Sequence, residues 1–169
     1  MQSDWRSQAR ALAMQCLTQL DVQGGEFLFE MDSFIAEASV PSESKTLAAE
    51  MARTAWTHHE TCDVFIAETV KHWQLQRIAL IDRAILRLAI SELVYRPDVP
   101  MKVVLDQGIE LAKKFSTAES PQFINGVLDA IAKKVHEPGA PSDAPVSLEP
   151  ADSTEIVQPA NRESEPKKE

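Results

Sequence analysis

Apolar residues recur every three or four positions along most of the chain, and no segment alternates apolar and polar residues with the period of two that strands show. The first such pattern covers residues 4–22, where Ala9, Leu12, Cys16 and Leu20 share one face. Gly24-Gly25 then ends the helix. A short apolar segment follows at 27–38 and ends before Pro41, which predicts a second, shorter element.

The middle of the chain predicts the centre of the fold. Residues 41–73 read as a long helical stretch with a break in the polar patch at 57–61. In residues 75–95, Ile78, Ile81, Ile85 and Leu88 form one stripe, and further apolar side chains nearly complete the circle. A helix that is apolar on most sides is expected to be central and buried.

Two more helices are predicted after the "RPDVP" segment, one from Pro100 to about 115 and one that begins near Ser120 and Pro121. Ser120 is a favourable N-cap residue. The last helix carries Asn125 and Gly126 in its first half, although Gly costs about 1 kcal/mol relative to Ala there. Our hypothesis is that Gly126 lets a neighbouring helix approach while Asn125 presents its amide at the surface; the alternative is a packing role alone.

Composition divides the 169 residues into an all-α domain at 1–136 and a tail at 137–169. The tail holds six of the ten prolines and few apolar residues, so we predict that it is disordered. The net charge is −9. Eight acidic and three basic residues give the tail −5, which leaves −4 for 1–136. This acidity counts against nucleic-acid binding.

Several classes of protein are not indicated. The chain has no apolar run long enough for a membrane span and no basic-then-apolar leader, so we expect a cytoplasmic protein. His58, His59 and Cys62 lie close together but supply too few ligands for a typical zinc site, and a polar helix break with a packed cysteine is the alternative. No phosphate-binding loop or nucleophile motif is present. We therefore expect no cofactor, no metal and no enzymatic activity.

Three segments, in order, resemble the NusB family of bacterial transcription antitermination factors. They are "RSQARALAMQCL", "RIALIDRAILRLAISEL" and "DVPMKVVLDQGIELAKKFSTAESPQFINGVLD", of which the last is the most specific. The resemblance implies two small three-helix subdomains that share a central buried helix. It also implies a complex with NusE, a protein of the small ribosomal subunit, and with boxA RNA of ribosomal RNA operon transcripts. NusA, NusG and RNA polymerase complete that assembly, which suppresses premature termination.

The resemblance also implies two surfaces. Gln76, Asp82 and Arg83 would contact NusE. For Arg83 and its neighbour Arg87, pairing within the chain with Asp82 or Glu92 is the alternative. For Phe123, RNA stacking and core packing both stay open. The residues implied in RNA binding are Arg6, Arg10, Met101, Lys102, Gln107, Glu119 and Phe123.

The chain departs from the family at some of these positions. Ser7 and Gln8 stand where relatives usually carry more arginines, and Met101 stands where an aromatic residue is common. Because each phosphate contact adds to affinity, we expect weak binding to RNA alone and strong dependence on NusE. Two other functions stay open: an RNA-targeting module like the one fused to ribosomal RNA methyltransferases, and a helical scaffold without RNA. Some relatives form homodimers, and the sequence leaves this open as well.

Overall fold

The structure is a computed structural model that describes residues 4–137. Within these residues it contains helices and turns and no strand. Short 3-10 turns at Gly25–Phe29 and Leu75–Arg77 precede α2 and α5. The helices are α1 (Trp5–Gln23), α2 (Met31–Glu37), α3 (Ser42–Thr57), α4 (His59–Thr69), α5 (Leu80–Tyr95), α6 (Met101–Phe115) and α7 (Ser120–His136).

Helix α5 is the centre of the molecule, as its circular apolar pattern predicts. Its residues from 84 to 93 are all buried. It contacts α1 and α3 on one side and α4, α6 and α7 on the other, while α2 packs on α3. The protein therefore consists of two three-helix groups, α1–α3 and α4, α6, α7, that share α5. The predicted break in the 41–73 stretch is also confirmed, because α3 ends and α4 begins around His58.

Ion pairs fix the direction of α1 relative to α5. Arg10 of α1 pairs with Glu92 near the carboxyl end of α5, whereas Asp21 pairs with Arg83 near its amino end. The two helices are therefore antiparallel. Helix α6 returns towards the amino end of α5, where Ser116 donates a hydrogen bond to Asp82. The first turns of α1 and α6 thus lie towards the carboxyl end of α5.

Helix α5 starts later than the apolar pattern predicts. Leu75–Arg77 form a 3-10 turn, and Ile78 and Ala79 have extended backbones before the helix begins at Leu80. Ile78 is nevertheless buried. Ile78 thus occupies the core position that the apolar stripe predicts, although its backbone is extended and not helical. The spacing of apolar residues therefore could not show that the helix begins only at Leu80.

The hypothesis for the first turns of α7 is wrong in two respects. Ser120 is the first helical residue, and its hydroxyl donates to Asp82 at 2.8 Å instead of capping the helix. Gly126 faces open space, since a Cβ there would meet nothing within 4 Å. The close approach lies at Gly108 of α6, where a Cβ would be 2.9 Å from the Leu128 side chain. Asn125 is exposed, as expected.

Replacing Gly126 with alanine is therefore expected to stabilise the protein by roughly 0.5–1 kcal/mol, because the helix gains Ala propensity without a steric conflict. Chemical denaturation of both proteins measures the difference. Gly108→Val is the matched comparison and should lose roughly 1–3 kcal/mol through overpacking against Leu128. Equal effects of the two changes would contradict this assignment of the two glycines.

His58, His59 and Cys62 each contact a group within the protein. His58 stacks on Tyr95, His59 stacks on Trp56, and Cys62 donates a weak hydrogen bond to the Arg87 carbonyl. Among residues 4–137 no group of three His, Cys, Asp or Glu residues could hold a metal ion. Burial raises the pKa of the Cys62 thiol to about 12, which keeps it neutral and unreactive.

Two further expectations concern the membrane and the tail. In the described part of the chain, no helix has the length and hydrophobicity that a membrane crossing requires. The tail predicted to be disordered, 137–169, lies outside the described residues except for Glu137.

Candidate RNA and protein interface

A groove lies between α1 and α6 on the described surface. Its volume is about 640 Å³. One wall is α1, the opposite wall is α6, and the segment that follows α2 closes one side. The lining residues that carry polar or aromatic groups are Ser7, Gln8, Gln15, Ser39, Gln107, Glu110, Lys113, Lys114 and Phe115. Ala11, Leu12, Ala38, Val40 and Leu111 complete the lining, so the groove presents polar and apolar groups side by side.

Cationic groups lie in the groove and beside it. Lys113 is paired with Glu110, at 3.0 Å between Nζ and Oε1. Lys114 lies over the Phe115 ring at 5.2 Å and forms no ion pair within residues 4–137. Arg6, next to the groove residue Ser7, is exposed and stacks on Trp5 at 4.4 Å. Arg6 also has no ion-pair partner among the described residues, so both cations are available to an anionic ligand.

One buried polar atom in the groove wall has no partner. The side-chain Oε1 of Gln8 is inaccessible to solvent, and no donor reaches it among the described residues. An unpaired buried acceptor is unusual, because burial without a hydrogen bond costs free energy.

Arg10 requires a correction, because the structure does not support an RNA contact by this residue. It is only 4% exposed. Its Nε lies 3.0 Å from Glu92 Oε2 and its Nη2 lies 2.8 Å from Glu92 Oε1. The Arg10 guanidinium therefore forms a buried ion pair that joins α1 to α5.

The residues predicted on α6 are accessible to different degrees. Met101 and Lys102 are exposed at the start of the helix, and Gln107 lines the groove. Lys102 pairs with Asp106 at 2.8 Å, and this carboxylate raises the pKa of Lys102. The charge of Lys102 is thus partly compensated, although the side chain itself is almost fully in solvent.

The predicted NusE residues lie around the amino end of α5. Gln76 is exposed in the preceding turn. Asp82 is buried and accepts hydrogen bonds from Ser116 and Ser120, at 2.6 and 2.8 Å. Arg83 is partly buried and pairs within the chain, but its partner is Asp21 and not Asp82 or Glu92 as predicted. Direct contact with a partner by Asp82 is not supported by this burial, because its carboxylate ties the α6–α7 connection to α5.

Glu119 and Phe123 do not lie with the other predicted RNA residues. Both belong to the start of α7, beside Asp82 at the amino end of α5. Asp82 and Glu92 are ten helical residues apart, which is about 15 Å. Phe123 is partly buried and stacks on Trp73 with 6.1 Å between ring centroids. The predicted RNA residues thus form two groups, at opposite ends of α5.

Sequence reasoning missed Lys113, Lys114 and Trp73. The "AKKF" segment served only to indicate the family, and consecutive lysines in the last turn of a helix are also explained by the helix dipole. Trp73 lies among the polar residues of "KHWQLQR" without any apolar periodicity. The signal available in the sequence for Trp73 was its position as a single aromatic residue between Lys71 and Arg77.

Comparison with known proteins places the chain in a family. The NusB family model matches residues 7–133. The chain is 38% identical over 140 residues to the transcription antitermination protein NusB of Symbiobacterium thermophilum, which covers 76% of this chain and 89% of that protein. It is 42% identical over 139 residues to NusB of Geotalea daltonii, covering 77% and 95%.

A solved structure shows the same fold. It contains the antitermination factors NusB and NusE in complex with double-stranded RNA. Its matching chain superposes with a TM-score of 0.69 at 27% identity, which covers 78% of this chain and 98% of that chain. The family model and both relatives extend over the whole helical domain, from α1 to α7. The chain therefore belongs to the NusB family of transcription antitermination proteins.

Proposed function

We propose that the protein binds NusE and the boxA element of ribosomal RNA operon transcripts, and that this complex suppresses premature termination together with NusA, NusG and RNA polymerase. The observation that carries the proposal is the match to NusB proteins over nearly the whole of their length. The homologous fold in a complex of NusB, NusE and double-stranded RNA supports both partners. Transcription takes place in the bacterial cytoplasm, so the proposal includes that location.

The proposed RNA path follows the groove between α1 and α6. Arg6 and Lys114 are exposed cations without ion-pair partners in the described chain, and they would contact phosphates. Gln8 and Gln107 supply amide groups in the wall, which can pair with base edges. Met101 adds an exposed apolar side chain at the start of α6.

Few cations line this path, and this lowers the expected affinity of the isolated protein for RNA. Lys113 and Lys102 are paired with Glu110 and Asp106, so each offers less charge to a phosphate than a free lysine. The net charge of the chain is also negative. We therefore expect weak binding of RNA by the isolated protein and much tighter binding in the presence of NusE.

The proposed NusE surface is the amino end of α5. Gln76 is the exposed member of the group predicted to contact NusE. Arg83 would act mainly by holding the 3-10 turn in place, since its Nη1 donates to the Leu75 carbonyl at 3.2 Å. Asp82 would act in the same indirect way, by fixing Ser116 and Ser120.

The RNA path is tested by charge reversal. The double variant Arg6→Glu/Lys114→Glu is expected to bind boxA RNA at least about tenfold more weakly in the presence of NusE. Its dependence on salt should fall by about 1.4 in the slope of log K against log salt, because each contact on single strands contributes about 0.7. Fluorescence anisotropy of labelled RNA measures both quantities.

The matched control is Arg53→Glu, which reverses an exposed charge that pairs with Asp32, away from the groove. This variant should change affinity less than about twofold. Equal affinities of the double variant and the wild-type protein, with circular dichroism showing that both are folded, would place the RNA elsewhere.

A further inference from the structure

Trp73 leaves most of its side chain in solvent. It lies in the turn between α4 and α5 and is 59% exposed. Its ring stacks on that of Phe123 with an angle of 27° between the planes. Phe123 is the inner ring, since it packs against the core, and Trp73 is the outer one. Folding alone does not account for this arrangement, because burial of a tryptophan would contribute more stability than its exposure.

The residues around Trp73 are polar or basic. Lys71, His72, Gln74 and Arg77 are all exposed. Neither Lys71 nor Arg77 forms an ion pair within residues 4–137. An aromatic ring between unpaired cations is the combination that binds single-stranded nucleic acid, in which bases stack and phosphates are neutralised. A docking site for an apolar protein surface would instead surround the tryptophan with apolar side chains.

The turn that carries Trp73 is held by specific contacts. The Trp73 N–H donates to the Val70 carbonyl at 2.9 Å, and the Arg77 N–H donates to the Gln74 carbonyl at 2.9 Å. The Leu75 carbonyl accepts from Arg83, which is itself fixed by Asp21. The outer ring is therefore presented by an ordered backbone at the amino end of α5.

We propose that Trp73 and Phe123 form a stacking platform for an unpaired RNA base, with Lys71 and Arg77 contacting the adjacent phosphates. The proposal rests on the proposed RNA-binding function. It gives Phe123 a defined role although this residue lies about 15 Å along α5 from the Arg6 end. The RNA is thus held at both ends of the central helix.

The test uses the full chain with NusE and a single-stranded boxA oligonucleotide. Trp73→Ala is expected to weaken RNA binding roughly 5- to 100-fold, which is the range for loss of one base–aromatic stack. Trp73→Phe should retain most of the affinity, because a phenyl ring also stacks. The matched control is Phe29→Ala: Phe29 is 91% exposed but is flanked by Glu26 and Glu30, which repel phosphate, so affinity should stay unchanged.

Fluorescence provides a second readout. The chain has three tryptophans, so Trp5→Phe/Trp56→Phe leaves Trp73 as the single emitter. RNA is expected to quench this emission, and NusE alone should not.

Three results would overturn the platform. If the wild-type protein binds RNA with NusE while Trp73→Ala binds equally well and no quenching occurs, the platform is wrong and the proposed function stands. If Trp73→Ala weakens NusE binding without RNA and leaves RNA affinity intact, the ring is a protein contact instead. If the wild-type protein binds no RNA with or without NusE, both proposals fail together.

Discussion

Replacing Glu92 with alanine is expected to lower the free energy of unfolding by roughly 3–5 kcal/mol. The side chains of Arg10 and Glu92 are only 5% and 4% exposed, and the carboxylate accepts from Nε and Nη2 of the guanidinium. Its removal leaves the Arg10 charge buried without a counter-charge. Urea denaturation followed by far-UV circular dichroism measures the loss.

Two variants control for this effect. Arg53→Ala breaks the exposed pair with Asp32 and should cost less than about 1 kcal/mol. Arg10→Met/Glu92→Leu removes both charges and should recover most of the stability lost in Glu92→Ala. A loss in Glu92→Ala no larger than that in Arg53→Ala would show that Arg10 is not buried as described.

Replacing Arg87 with alanine is expected to lower the melting temperature by about 10–20 °C, which corresponds to roughly 3–5 kcal/mol in a domain of this size. Arg87 donates to both oxygens of Asp63 at 2.7 Å and lies 3.0 Å from Asp21, so it joins α1, α4 and α5. Burial acts to lower the pKa of Arg87, but Asp63 and Asp21 outweigh it and raise that pKa above its usual value.

Differential scanning calorimetry provides the measurement for Arg87→Ala. Lys133→Ala is its control, because Lys133 forms an exposed pair with Asp129 one turn away and should change the melting temperature by no more than about 2 °C. Comparable melting temperatures for Arg87→Ala and Lys133→Ala would contradict the role of Arg87 as a bridge between three helices.

The helices could be predicted from the sequence because their stability comes from one continuous apolar face. The central position of α5 followed from apolar residues on all its sides, and the break at His58 followed from a polar patch. The start of α5 could not be predicted in the same way, since Ile78 is buried from an extended backbone.

The candidate site was less predictable because it depends on contacts between distant positions. The sequence shows that Arg10 is basic and Asp82 acidic, but not that Glu92 lies beside Arg10 or that two serine hydroxyls meet Asp82. Both side chains therefore look like surface residues in the sequence and are buried in the structure. The same limit applies to Trp73, whose stacking on Phe123 joins two residues that are far apart in the sequence.

Family membership defines the kind of molecule. The chain is a NusB-family regulatory factor and not an enzyme. Its helical domain carries the residues that we propose to bind NusE and RNA, on surfaces that α5 connects. The buried ion pair Arg10–Glu92 and the partly buried pair Arg83–Asp21 fix these surfaces relative to each other.

Assembly with both partners tests the central claim most directly. The full chain, NusE and boxA RNA are mixed at equal concentrations and examined by size-exclusion chromatography with light scattering. We predict one peak whose mass equals one copy of each component, formed at salt concentrations where the chain alone leaves the RNA free. Three separate peaks, with none containing the chain together with either partner, would contradict the account.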